Sequence, residues 1–121
     1  MDEIISSYSR AQAIQDGVLI DTSTLAREAG FRIPVAITQA AWAECIAVSC
    51  EDIGQDETGR LWDVLNVLWY ELRRASWESV LFFDVLVSKG GQRPRPVSLK
   101  VHYGPGDQGE AVLTVMLPDE D

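Results

Sequence analysis

The last third of the chain most constrains the fold, because it holds three segments with the composition of β-strands. The segments "SVLFFDVLV" and "AVLTVML" are rich in β-branched and aromatic residues, and "VSLKVHY" alternates apolar and polar positions. The glycine-rich stretch "GPGDQGE" before the last segment is typical of a hairpin loop. We therefore predict a three-stranded antiparallel meander at about 79–88, 97–103 and 111–117, with no helix between Val97 and Leu117.

Helix signals dominate the part of the chain before these strands. Ser9 and Gly17 are a suitable N-cap and stop for a short helix at Arg10–Gln15. A second predicted helix ends at Gly30, and a third begins at Thr38. This order of elements, helices first and strands last, is typical of the α+β class.

The length and composition fit one folded unit. A chain of 121 residues with 46% apolar residues can bury a core without disulfides or metals. We predict a single α+β domain over residues 1–121, with N-terminal helices packed on a C-terminal three-stranded antiparallel sheet.

A long amphipathic helix is predicted from Glu57 or Thr58 to Ala75. At 100° per residue, most of its apolar side chains fall within one arc, which we expect to face the core. These side chains are Leu61, Trp62, Val64, Leu65, Leu68, Trp69 and Leu72. Val67 and Tyr70 lie on the opposite, polar face, where they hint at contact with a partner.

The charge balance restricts the partners. With 19 acids against 10 bases, the net charge is −9, which opposes attraction to nucleic acid or anionic lipid and suits a basic protein. The first ten residues begin with two acids and no basic region, and no apolar run approaches the roughly 18–20 residues that span a bilayer. We expect a cytoplasmic protein that binds neither membrane nor nucleic acid directly.

Residues that could carry catalysis or bind metal are few. Cys45 and Cys50 predict two reduced thiols in a cytoplasmic protein, and the single histidine, His102, lies too far along the chain to complete a zinc site. No phosphate-binding glycine loop, nucleophile elbow or metalloprotease motif occurs. We expect no metal, no cofactor and no catalytic residue.

A cluster of acids before and at the start of the long helix is the candidate partner-binding surface. It could imitate the phosphates of a nucleic acid toward a basic protein, with one exposed aromatic residue as an anchor. Solubility and favourable charge at a helix N-terminus explain the same acids. The predicted surface consists of Glu44, Glu51, Asp52, Asp56, Glu57 and Tyr70.

Three stretches, "YSRAQAIQDGVLID", "AREAGFRIPVAIT" and "GQDETGRLWDVL", together with the tail "LTVMLPDED", resemble a family of short uncharacterised proteins. Members carry a domain of unknown function and are encoded on bacterial plasmids, integrative elements and prophages. The resemblance implies no activity. It does imply a setting in which small accessory proteins often blunt host defence, including CRISPR effectors and restriction enzymes.

Three hypotheses for the function follow. The first is an acidic accessory protein that inhibits a host defence system by protein–protein binding, in contact with a nucleic-acid-handling complex. The second is an enzyme, because "YSRAQAIQDGVL" resembles the start of ADP-ribosyltransferase-like domains. Tyr8 and Arg10 would then face the dinucleotide, and Glu110 would be the catalytic acid. The third is a regulatory or structural subunit that forms a homodimer through a sheet edge or a helix.

Overall fold

The computed structural model describes residues 8–52, 54–74 and 78–120. These residues form four helices and five strands. They are α1 (Arg10–Gln15), β1 (Leu19–Asp21), α2 (Ser23–Ala29), β2 (Val35–Thr38), α3 (Gln39–Cys45), α4 (Glu57–Arg74), β3 (Val80–Val87), β4 (Arg95–Pro105) and β5 (Ala111–Met116). The residue at which we predicted the long helix to end, Ala75, lies outside the described residues.

The strands form one mixed five-stranded sheet in the order β1-β2-β5-β4-β3. The predicted meander is present, because β3 pairs with β4 and β4 with β5, both antiparallel. The prediction of a sheet with three strands was wrong, since β1 and β2 extend it beyond β5. β2 runs parallel to β5, with Val35 opposite Leu113, and β1 runs antiparallel to β2. The fold is therefore α+β with a mixed sheet.

The two additional strands are too short for their local pattern to show that they join the sheet. β1 has three residues and β2 four, so neither shows several cycles of alternation. Val35, Ala36 and Ile37 are all buried, because β2 is an interior strand covered on both faces. An interior strand of this kind is specified by its position in the sheet more than by its own sequence.

One apolar core lies between the sheet and the helices α2, α3 and α4. Ala26 of α2, Ala41 of α3 and Leu65 and Leu68 of α4 pack there with the inward residues of the sheet. Those strand residues are Val35, Ile37, Phe83, Val85, Val87, Leu99, Val101, Leu113 and Val115. Because successive residues of a strand point to opposite faces, the intervening residues of β3 lie on the outer face of the sheet.

The predicted helix caps are largely confirmed. The Ser9 hydroxyl accepts a hydrogen bond from the amide of Gln12, and the Thr38 hydroxyl accepts one from the amide of Ala41. Gly30 ends α2 with a φ of 114°, a conformation in which a side chain is strained. A Cβ at this glycine would also stand 2.8 Å from Nε1 of Trp69, so α2 and α4 pack closely here.

The orientation of α4 differs from the prediction at two positions. Leu65 and Leu68 are buried as predicted, and Trp69 and Leu72 are half-buried against the core. Trp62 is 38% exposed, so its assignment to the core was wrong. The interpretation of Val67 as a residue of the polar face was also wrong, because it packs against the core and lines a groove beside β3. The strand β3, which the helical wheel does not show, covers the Val67 side of the helix.

Candidate partner-binding surface

Asp52 does not belong to an exposed acidic surface. Its side chain is buried, with Oδ1 accepting a hydrogen bond from the amide of Gly90 at 2.6 Å and Oδ2 accepting one from the amide of Ser49 at 2.9 Å. Oδ1 also lies 3.2 Å from Nη2 of Arg60. The Gly90 and Ser49 amides, together with Arg60, hold the pKa of Asp52 below its usual value, although burial acts in the opposite direction. The inclusion of Asp52 in the predicted binding surface was therefore wrong.

Arg60 is the residue that explains this burial. Besides its ion pair with Asp52, its guanidinium donates hydrogen bonds to the Gln55 side chain and to the carbonyl oxygens of Ala47 and Ser88. These partners belong to the loop before α4 and to the residue after β3. A guanidinium can satisfy several buried acceptors at once, because it carries five N–H groups in a fixed plane. The positive charge of Arg60 is thus paired with Asp52 within the fold.

Glu44 and Glu51 are exposed but share their surroundings with bases. Glu44 lines a depression together with Lys89, Arg93 and Arg95. Glu51 lines a neighbouring depression together with Lys89. The hairpin between β3 and β4 therefore places positive charge among these two acids. They do not form an uninterrupted negative surface.

Asp56 and Glu57 lie at the N-terminus of α4. The Asp56 side chain accepts a hydrogen bond from the amide of Gly59 at 2.6 Å, which caps the helix. Asp56 also lines a shallow depression with Trp62 and Asp63. This end of α4 therefore presents three exposed acids beside a partly exposed indole.

Tyr70 lies away from Asp56 and Glu57. Its side chain is 60% exposed, and the Arg74 guanidinium carbon lies 5.7 Å from its ring centroid. Tyr70 follows Glu57 by thirteen positions, which corresponds to roughly 20 Å along an α-helix. Tyr70 instead shares a helix face with Asp63, Asn66 and Val67, which precede it at spacings of seven, four and three.

A groove lies between α4 and β3. It has a volume of about 610 Å³. One wall is formed by residues of α4 and the other by the run 84–88, with Gln55, Arg60 and Pro94 completing it. The α4 wall consists of Asp63, Val64, Asn66 and Val67. The groove thus has an apolar interior and polar residues at its rim.

The exposed charges at the rim of the groove are negative. Asp63 and Asp84 are exposed at its rim, whereas the guanidinium of Arg60 is buried against Asp52. The Asp84 carboxylate accepts a hydrogen bond from the Ser98 hydroxyl at 2.8 Å and retains further acceptor capacity. Leu86, also at the rim, is 71% exposed. Residues of this kind suit a ligand that carries both apolar and basic groups.

The residues named for the enzyme hypothesis have structural partners. The guanidinium of Arg10 donates hydrogen bonds to the Thr114 hydroxyl at 2.7 Å and to the Leu113 carbonyl at 2.9 Å, which ties α1 to β5. The Tyr8 hydroxyl donates to Asp16, and the Glu110 side chain accepts from the amide of Gln108 within the hairpin loop. Burial lowers the pKa of Arg10, and nearby carboxylates partly offset this effect. The two Arg10 contacts hold α1 on the sheet.

The hairpin loop before β5 also holds α1. The Asp107 side chain accepts hydrogen bonds from the amides of Arg10 and Ala11 at 2.8 and 2.9 Å. These amides belong to the first turn of the helix, where no intrahelical partner exists. The two amides lower the pKa of Asp107. The loop "GPGDQGE" therefore contributes a helix cap, a role that its sequence did not reveal.

Cys45 is buried and Cys50 is exposed, and both are free thiols. Burial raises the pKa of Cys45 to about 11. Over residues 8–52, 54–74 and 78–120, no group of three His, Cys, Asp or Glu side chains could hold a metal ion. Within the same ranges no helix combines the length and apolar character needed to cross a bilayer.

Comparison with known families gives one match. Residues 1–121 match the family described as "Family of unknown function (DUF6573)". The chain belongs to this family. No curated protein and no solved structure matches it. The resemblance to an uncharacterised family is thereby confirmed for the whole chain, whereas the setting on mobile elements stays a prediction.

Proposed function

We propose that the chain is a small accessory protein of a bacterial mobile element that acts in the cytoplasm by binding a basic host protein. The partner we propose is a nucleic-acid-handling component of a defence system, either a CRISPR effector or a restriction enzyme, and binding inhibits it. The observation that carries the proposal is the groove between α4 and β3, whose apolar interior and acidic rim suit a basic protein surface.

The overall charge supports the same class of partner. A net charge of −9 repels nucleic acid and attracts a basic protein, and it raises the rate of association with such a protein at low salt. A protein that binds nucleic acid carries many lysines and arginines on the surface that contacts it. A protein that competes with nucleic acid for that surface carries acids.

Of the three acids that we assign to the interface, only Glu57 belongs to the set that the sequence suggested. Asp63 and Asp84 are exposed and line the groove, and Glu57 is exposed in the first turn of α4. Glu44 and Glu51 share their surroundings with basic residues. Trp62 and Tyr70 are partly exposed on the same helix and provide aromatic contact area. Aromatic residues are frequent among those that dominate the binding energy of an interface.

The experiment is affinity capture from a bacterial host lysate, with the captured proteins identified by mass spectrometry. The test variant carries Glu57→Lys, Asp63→Lys and Asp84→Lys. The matched control reverses three other exposed acids, through Glu28→Lys, Glu78→Lys and Asp119→Lys, and therefore has the same net charge. Thermal melting verifies that both variants are folded.

We expect wild type and control to recover the same basic nucleic-acid-handling protein and the test variant to lose it. We also expect recovery to fall as salt rises, because exposed charge pairs are screened. Equal recovery by the test variant contradicts the proposal. Equal loss with both variants contradicts it too, since the net charge alone would then govern binding.

A further inference from the structure

Among the described residues, the long strand β3 lies at one edge of the sheet and is unpaired on its outer side. β3 spans eight residues, and within the described ranges it pairs only with β4. The opposite edge strand, β1, has only three residues. An edge strand carries a row of backbone N–H and C=O groups that can pair with another strand. With eight residues, β3 is long enough to pair with a strand of typical length, roughly 5–6 residues.

The groove runs along this free side. Its β3 wall is a continuous run from Asp84 to Val87, followed by Ser88. Because alternate side chains of a strand point to opposite faces, a wall made of consecutive residues is the edge of the backbone and not one face. The helix α4 forms the other wall with Asp63, Val64 and Val67.

We infer that the groove binds an extended peptide segment of the partner, which adds to the sheet as a sixth strand beside β3. This inference rests on the proposed function and adds the mode of binding to it. Strand addition to an exposed edge is an established way for proteins to recognise peptides, with backbone hydrogen bonds giving affinity and alternate side chains giving specificity.

The side chains around the groove define the peptide. A residue that points toward α4 meets Val64 and Val67, so an apolar side chain fits there. A residue that points to the outer face lies beside Asp84, Leu86 and Phe82, with Phe82 61% exposed. Basic side chains with long apolar stems can contact Leu86 and reach Asp84 at the same time. The partner segment therefore alternates apolar and basic residues.

A second copy of the chain is a less suitable occupant. Each copy carries a net charge of −9, so two copies repel each other as they approach. Asp84 lies near the middle of β3, where antiparallel pairing of two copies would bring both carboxylates to the same new junction. A basic segment has the opposite charge and meets neither obstacle.

The experiment uses the full chain and a seven-residue peptide in which lysine and valine alternate, with lysine at both ends. Two derivatives are N-methylated, one at every valine and the other at the three lysines that follow a valine. Only one of the two sets of amides can face β3, because alternate amides of a strand point to opposite edges. Binding is measured by fluorescence anisotropy and mapped by backbone amide NMR.

We expect the unmodified peptide to bind and to shift the amides of residues 84–88. One methylated derivative should lose roughly tenfold or more in affinity through lost hydrogen bonds, while the other changes by less than about twofold. Asp84→Lys should weaken binding, and Glu28→Lys should not.

The inference is overturned by no binding to wild type, by equal losses for both derivatives, or by shifts confined to residues outside the groove. A concentration-dependent dimer with protected β3 amides overturns it in favour of a second copy. If the charge-reversed variant fails to capture the host protein but the peptide does not displace that protein from wild type, only this binding mode fails. If no basic host protein is captured, the proposed function itself fails.

Discussion

Asp52 and Arg60 form a buried ion pair, with 3.2 Å between Oδ1 and Nη2, that joins the loop before α4 to the end of β3. The Arg60 guanidinium is buried, and besides Asp52 it donates hydrogen bonds to Gln55 and to two carbonyl oxygens. Its charge is therefore directed into the fold at the end of the groove. The charge presented by the groove therefore comes from the exposed carboxylates of Asp63 and Asp84.

Loss of Arg60 should destabilise the fold strongly. Arg60→Ala leaves the Asp52 carboxylate without its ion-pair partner and two carbonyl oxygens without their donor. Breaking a buried pair in this way costs about 3–5 kcal/mol. The measurement is the free energy of unfolding from urea titration. Arg32→Ala, at an exposed arginine, is the control and should change it by less than about 0.5 kcal/mol. Similar losses for the two variants would contradict the role given to Arg60.

The two sides of α4 should respond differently to truncation. Leu65→Ala should lower the free energy of unfolding by about 2–5 kcal/mol, because the side chain is buried in the core. Val67→Ala should cost about 1 kcal/mol, since Val67 is half-buried at the groove. The same urea titration checks both. Equal losses would mean that Val67 is as deeply packed as Leu65.

Acid should release α1 from the hairpin loop. The folded pKa of Asp107 is lowered by the amides of Ala11 and Arg10, so its stabilising contribution is complete above the ordinary value of 3.8. That contribution is lost as the pH falls through the lowered folded pKa. We expect Asp107→Asn to melt at a lower temperature than wild type near pH 6. Near pH 2 this difference in melting temperature should be smaller. A difference that stays constant between these pH values would contradict the cap.

The two thiols should differ in reactivity. Cys50 is exposed, whereas Cys45 is buried and has a pKa raised to about 11, so it holds little thiolate at pH 8. We expect one fast-reacting thiol per native chain with a chromogenic disulfide reagent and two after denaturation. Cys50→Ser is the control and should remove the fast phase. A fast phase of two thiols in the native chain would show that Cys45 is accessible.

The elements that local sequence determines were predictable, and those that depend on packing were not. Ser9 and Thr38 cap their helices and Gly30 ends one as predicted, because capping involves residues only a few positions apart. The parallel pairing of β2 with β5 joins segments far apart in the chain, and no feature of β2 alone indicates it. The meander was found because its strands are longer and joined by hairpins.

The candidate surface likewise combines features that local sequence indicates with features that depend on packing. The acids before α4 were visible as a cluster, but the burial of Asp52 depends on Arg60 and Gly90, which lie 8 and 38 residues away. The groove combines residues of α4 with those of β3, so neither element suggests it alone. One signal in the sequence did point to it, because Val67 is an apolar residue outside the main stripe of the helix.

Hydrogen exchange of the backbone amides, in the chain alone and in complex with the captured host protein, tests the central claim most directly. If the partner adds a strand at the groove, amides of β3 that point away from β4 should exchange rapidly in the free chain and slowly in the complex. Protection should also rise at Asp63 and Val67, while the amides of α1 stay unchanged. Protection confined to the segment from Glu44 to Glu57, with β3 unaffected, would contradict the account.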